Sequence, residues 1–170
     1  APIVLNTTFS GLANAQALID FREQKIEAAR EHLADVLKRA PDHLPSVLLG
    51  GSIEYALGNL QTAESHLQKA VRAAPHNLNA LRLLAATQLR LGRPDDAAKT
   101  LAPIDLEKVK DPGTLAIAGE IALANNDLPR ATSLFEKAAA LKPDDPAIRS
   151  ELALARLARG CAGCARTASR

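Results

Sequence analysis

The chain has almost no aromatic residues. Phe9, Phe21, Tyr55 and Phe135 are all it has among 170 residues, and tryptophan and methionine are absent. So few aromatics exclude a row of base-stacking platforms. They also disfavour a β-sandwich or barrel, whose strands draw on Val, Ile, Thr and aromatics. An excess of one charge is missing too: 21 Lys and Arg against 19 Asp and Glu leave a net charge of +2. That balance does not suit a general nucleic-acid or membrane-surface binder. No apolar run approaches the ~18 residues of a membrane helix, and no charged-then-apolar leader is visible. The chain starts at Ala1 without an initiator methionine, which reads as a processed chain or an excised fragment. Both cysteines, Cys161 and Cys164, stand near the C-terminus. The body therefore needs no disulfide, and the redox compartment stays open.

What is present is Ala and Leu, which dominate a hydrophobic content of 47%. Both are strong helix formers, so the composition points to an all-α protein. The order of residues says more. Pro41, Pro75 and Pro143 are spaced by 34 and by twice 34. Ala29, Ala63, Ala97 and Ala131 keep the same step, as do Leu33, Leu67, Leu101 and Phe135, and Ala17, Gly51, Ala85 and Gly119. A fixed period of this length marks a repeat architecture. It defines units 10–43, 44–77, 78–111 and 112–145, with a partial fifth over 146–160.

Each unit reads as two helices. In the second unit they run from about Pro45 to Leu57 and from Leu60 to Ala73, with a turn at Gly58-Asn59 and a stop at Pro75. Gly92, Asn126 and Gly160 punctuate the later units at the same place. Asp111-Pro112 and Asp145-Pro146 are good helix starts, a capping Asp before a Pro at the first helical position. Pro94 and Pro129 fall in first turns, where Pro is tolerated. Small residues at positions 8 and 20 let helix backbones approach, and Leu or Phe at position 24 fills the space between them. Val36, Ala70, Ile104 and Ala138, at position 27, continue that contact. Pro103 falls inside a second helix, so that helix is expected to break near Ala102, with another short segment before Asp111.

Residues 1–9 show no helical period and read as an extended lead-in; Asn6-Thr7-Thr8 matches a glycosylation sequon. Residues 161–170 lack apolar spacing and read as a disordered or non-native tail. Cys161-x-x-Cys164 has no second pair for a metal and no strand beside it for redox work. His32 and His66, both at position 23, read as solvent-facing, since no carboxylate or cysteine partner shares their pattern. His43 and His76 read as loop residues. There is no phosphate loop, no nucleophile elbow and no zinc helix motif. Gly50-Gly51 lies within a helix, and Asp95-Asp96 and Asp144-Asp145 sit at helix starts, where negative charge is favourable. No enzyme site, cofactor or metal is implied.

These units resemble the tetratricopeptide repeat over residues 10–160, although position 4 is never Trp and position 11 is never Tyr. The resemblance implies a right-handed superhelix whose first helices line a concave face. On that reading the face holds Asn14, Leu18, Phe21 and Arg22 from the first unit and Leu48, Ser52 and Tyr55 from the second. Asn79, Arg82, Leu89 and Arg90 follow from the third, and Glu120 from the fourth. Such a mixture suits an extended or helical peptide with an acidic group. Phe21 and Tyr55 fit binding and core packing equally well. The carboxylate clamp of chaperone-binding tetratricopeptide domains is absent: Asn14, Leu18, Leu48, Ser52 and Leu83 stand at its positions.

The stretches 9–33, 48–67 and 81–97 further resemble the tetratricopeptide lipoprotein of bacterial exosortase, PEP-CTERM sorting and exopolysaccharide systems. That resemblance implies a non-catalytic scaffold facing the periplasm, with a protein or peptide partner and no membrane span in this segment. Two alternatives remain: a repeat that guides a polysaccharide, and a self-assembly module pairing through Leu152, Leu154 and Leu157.

Overall fold

The computed structural model describes the backbone of residues 3–168 and the side chains of residues 11–160. The side chains of Asn6, Thr7, Thr8, Cys161 and Cys164 lie outside this range. All regular elements among the described residues are helices: α1 (Ile3–Arg22), α2 (Ile26–Arg39), α3 (Leu44–Ala56), α4 (Leu60–Ala73), α5 (Leu78–Arg90), α6 (Pro94–Leu101), α7 (Pro112–Ala124), α8 (Leu128–Leu141) and α9 (Pro146–Ala168). The expected all-α class holds. The helices fall into two compact units, Ala1–Thr87 and Gln88–Arg170. In the first, α1 packs on α2, α2 on α3 and α3 on α4; in the second, α6 packs on α7, α7 on α8 and α8 on α9.

The 34-residue period is written into the backbone. Gln24, Gly58, Gly92 and Asn126 all have positive φ, between 59° and 81°. The residue after each donates its N–H to a carbonyl five residues back: Lys25 to Asp20, Asn59 to Glu54, Arg93 to Gln88 and Asp127 to Ala122, at 2.8–2.9 Å. This closure satisfies carbonyls at the helix end and needs a left-handed residue, usually Gly or Asn. Gln24 is the exception, and a side chain in that conformation costs roughly 1–2 kcal/mol. Gln24→Gly is therefore expected to raise stability by up to about 1 kcal/mol, after the extra chain entropy that Gly brings to the unfolded state. Denaturant titration of the two proteins checks this. The capping aspartates behave as expected: Asp111 accepts from Thr114 N at 2.7 Å, and Asp145 accepts from Ala147 N at 3.0 Å.

Side-chain size sets the spacing of each pair. A Cβ on Gly51 would come within 2.6 Å of Leu67 Cγ, and one on Gly119 within 2.8 Å of the Phe135 ring. The larger partner at position 24 thus rests directly on the backbone of position 8. Leu67 and Phe135 are wholly buried. In the first unit the core also gathers Ala17, Ala29, Leu33, Val36, Leu49 and Ile53, with Val47, Ala70 and Ala80 beside it.

Proline ends α6 as expected. This helix has 8 residues where α2, α4 and α8 have 14. Pro103 has no N–H to donate, and its ring would collide with the turn before it. The expected second segment is only a turn, with Lys108 N and Val109 N both bonded to Asp105 O. Ile104 is left half-buried, unlike Val36, Ala70 and Ala138 at its position.

Three local expectations are corrected. The lead-in at 1–9 is helical from Ile3, and Gly160 lies inside α9, which runs through the expected tail to Ala168. An apolar period is needed for a packing face, whereas helical hydrogen bonds close within the segment itself. No proline occurs between Pro2 and Pro41 or between Pro146 and the end of the chain, so nothing in either segment blocks the helical hydrogen bonds, and Ala162, Ala165, Arg166 and Ala168 favour helix.

Candidate functional site

In the first unit, α1, α3 and the start of α5 carry most of the expected lining. Leu18 and Arg22 are exposed on α1. They lie four residues apart and so share a helix face. Among the described residues Arg22 has no ion-pair partner. Asn79 is exposed on α5. Leu48 is half-buried and joins two core clusters. Phe21 packs on the cluster of Ala17, Leu33 and Ile53, and Tyr55 on that of Ala63, Leu67 and Leu84. Both aromatics therefore serve the core while keeping part of their surface open.

Other lining residues are already engaged. Asn14 Oδ1 accepts from the buried Ser46 hydroxyl at 2.9 Å, and His43 Nδ1 lies 2.7 Å from the same hydroxyl. The Ser52 hydroxyl donates to its own helix at Leu48 O, 3.1 Å away. Arg82 and Arg90 each have interactions within the protein. Leu89 and Arg90 close α5 in the second unit, where Leu89 is half-buried and Arg90 exposed. Glu120 is half-buried on α7, and its carboxyl is held above the ordinary range, first by burial and then by the charge of Glu151.

Position 11 does what its sequence alone did not suggest. Asp20 and Glu54 are buried there, and so is Gln88. His32 Nδ1 lies 2.7 Å from Asp20 Oδ2, and Gln16 donates to Oδ1 at 3.1 Å. Arg30 Nε donates to Glu54 Oε1 at 2.9 Å, and Asn59 Nδ2 to Oε2 at 2.7 Å. Thr100 Oγ1 donates to Gln88 Oε1 at 2.7 Å. His32 is thus not simply solvent-facing. His66 is half-buried under the influence of Glu54, and burial lowers its pKa. The signal is an offset of 12 residues, as in Asp20 and His32, Glu54 and His66, and Gln88 and Thr100. In the fourth repeat the same pair is apolar, Ala122 and Leu134, and both are buried. These polar groups hold helices together and are not offered to a ligand. Among the described residues no three His, Cys, Asp or Glu side chains gather into a metal site, and no helix is long and apolar enough to cross a membrane.

The Asp20 carboxyl is held below its usual value of 3.8, first by the hydrogen bond with His32, while burial opposes the shift. A depressed folded value means the contribution is complete above the unfolded value and is lost as pH falls through the folded one. Wild type is therefore expected to lose stability more steeply than Asp20→Asn as pH drops below about 4. Denaturation midpoints measured between neutral and strongly acidic pH read this slope directly.

Comparison with known proteins agrees with this geometry. Tetratricopeptide repeat models match residues 54–116 and, in a second form, residues 14–77 and 118–162, the latter being more than half of the chain. Among solved structures, MamA residues 41-end from Desulfovibrio magneticus RS-1 superposes with a TM-score of 0.76 at 16% identity, covering 89% of this chain and 86% of that one. TTC0263, a thermophilic tetratricopeptide protein of Thermus thermophilus, gives 0.69 at 22% identity, covering 85% and 80%. YrrB, a tetratricopeptide protein with an unusual peptide-binding site, gives 0.68 at 16% identity, covering 87% and 76%. At these identities the likeness concerns the fold. No curated protein matches the sequence. Tetratricopeptide proteins generally mediate protein–protein interactions, and no enzymatic family is indicated. With the period, the turn closures and the small-to-large helix contacts all in register, the chain belongs to the tetratricopeptide repeat family.

Proposed function

We propose that this protein is a non-catalytic scaffold of the bacterial envelope that binds a partner peptide on the first-helix face of its first unit. The observation that carries the reading is exposed Leu18 beside an Arg22 guanidinium that has no ion-pair partner among the described residues, with half-buried Leu48 and Tyr55 on α3. An apolar contact next to a planar cation suits an extended peptide with an acidic residue. The peptide-binding site of YrrB supports the same use of the fold. The envelope setting, with exopolysaccharide or protein-sorting machinery as the system served, rests on the resemblance of residues 9–33, 48–67 and 81–97. The test is capture from fractionated bacterial extract by wild type and by a folded Leu18→Glu, Arg22→Glu variant. Capture from the envelope fraction that the variant loses supports the reading. Equal capture by both overturns the face assignment, and capture only from the cytosolic fraction overturns the setting.

A second reading, self-association through α9, is favoured by Leu154 and Leu157, which are 57% and 66% exposed. Three residues apart, they share one helix face. Light scattering decides it: a mass above the monomer that Leu154→Glu returns to the monomer supports this interface, and an unchanged mass excludes it.

A further inference from the structure

The second unit contains a cavity of about 320 Å³ between α6, the loop that follows it, α7 and the start of α8. That is at the lower end of the ~300–1,000 Å³ typical of ligand pockets. Its wall is apolar, formed by Ala98, Leu101, Ile104, Leu106, Ile121 and Ala122. Its rim is polar, formed by Asn125, Asp127 and Arg130.

The first unit shows why the space is there. Sixty-eight residues, two repeats, separate Ala98 from Arg30, Ala122 from Glu54 and Asp127 from Asn59. In the first unit those three residues form a closed network, with Arg30 and Asn59 both donating to Glu54. In the second, two methyl groups and a rim carboxylate replace it, so the volume of the arginine stem and the glutamate is vacant. Pro103 adds to this by ending α6 early, which brings Ile104 and Leu106 into the wall as loop residues.

The chemistry of the occupant follows from the same substitution. The buried carboxylate of Glu54, which pairs with the exposed Arg30, has become the methyl of Ala122, so a cation taken into the hole would lie beside an apolar wall, and an unpaired buried charge is costly. The occupant's buried part is therefore apolar. The rim offers both hydrogen-bonding senses. One Asp127 oxygen accepts from Arg130 N at 3.2 Å, the other is left to accept from an occupant, and the Arg130 guanidinium has no partner among the described residues. Donors and acceptors placed around an apolar hole match the peptide groups flanking one side chain.

We propose that this cavity is a binding pocket for a single leucine- or phenylalanine-sized side chain presented by a partner peptide. It is a site separate from the first-helix face of the first unit, and neither depends on the other.

The probes are N-acetyl-phenylalaninamide and N-acetyl-leucinamide, with N-acetyl-glycinamide and N-acetyl-argininamide as controls. Binding is followed by methyl NMR at Leu101, Ala118 and Ile121 in the full chain. Saturable shifts from the two apolar probes are expected. Filling the hole from within by Ala98→Arg, Ala122→Glu, Asp127→Asn, which restores all three residues of the first-unit network, is expected to weaken binding at least tenfold. Should that variant fail to fold, Ala122→Leu fills the hole with apolar atoms alone and carries the same expectation. No saturable shift from either apolar probe overturns the proposal, as does undiminished binding in a folded, filled variant. Tighter binding of the arginine probe overturns the assigned side-chain class.

Discussion

Leu67→Ala is expected to destabilise the first unit by about 2–5 kcal/mol. Leu67 is wholly buried among Ala63 and Leu84, with Leu48, Tyr55, Val71 and Leu83 around them. Its branch point rests over Gly51, where an added Cβ would lie 2.6 Å away. Truncation removes both the transfer free energy and the contacts of the surrounding atoms, and a rigid helix pair closes the void only in part. In a chain of this size the loss corresponds to a melting temperature lower by about 5–15 °C. The cavity also changes the sign of a second mutation. In wild type, Gly51→Ala must displace Leu67 and is expected to destabilise, even though Ala gains about 1 kcal/mol in helix propensity. In the Leu67→Ala background the obstacle is gone, so Gly51→Ala is expected to stabilise. A double-mutant cycle measured by chemical denaturation gives the coupling, and simple additivity would show that the two positions do not touch.

Gly119→Ala is expected to destabilise the second unit by about 1–2 kcal/mol, the balance of overpacking against helix propensity. The added Cβ meets three atoms of the Phe135 ring at 2.8–3.0 Å. Phe135 has no exposed surface and no room to move aside. The repeats themselves indicate the remedy. Elsewhere an alanine at position 8 is accompanied by leucine at position 24, as in Ala17 with Leu33. Gly119→Ala combined with Phe135→Leu is therefore expected to recover part of the loss, since Leu67 shows that leucine also crowds a Cβ where position 8 is glycine, and Phe135→Leu alone destabilises by leaving a gap. Thermal melts of the four proteins check this. A double variant as unstable as the sum of the singles would contradict a direct contact.

Much of the fold was legible because the features that mark it are local. A left-handed turn residue every 34 positions, a capping Asp before Pro and a proline inside a second helix each act on a few neighbouring residues. Helix pairs, turns and the break at Pro103 followed from them. The helical start at Ile3 did not, because that segment has no apolar stripe to reveal it. The polar ladder of position 11 was also hidden, since Asp20 and His32 meet only once two helices have packed. The site was less legible still. Side-chain position marked Asn14 and Ser52 as lining, yet their hydrogen bonds turn inward to Ser46 and to Leu48 O. The cavity of the second unit is an absence. It becomes visible only when Ala98 and Ala122 are set beside Arg30 and Glu54, which fill the same place two repeats earlier.

On the proposed reading, the first-helix face of the first unit is where this protein meets its partner. Site-specific photocrosslinking in envelope extract tests it most directly. A crosslinking residue is placed at Leu18 on α1 in one sample and at Gln68, exposed on α4, in the other. A defined protein adduct from position 18 and none from position 68 is the predicted result. An adduct from position 68 alone, or the same adduct from both, would place the partner elsewhere than on the first-helix face.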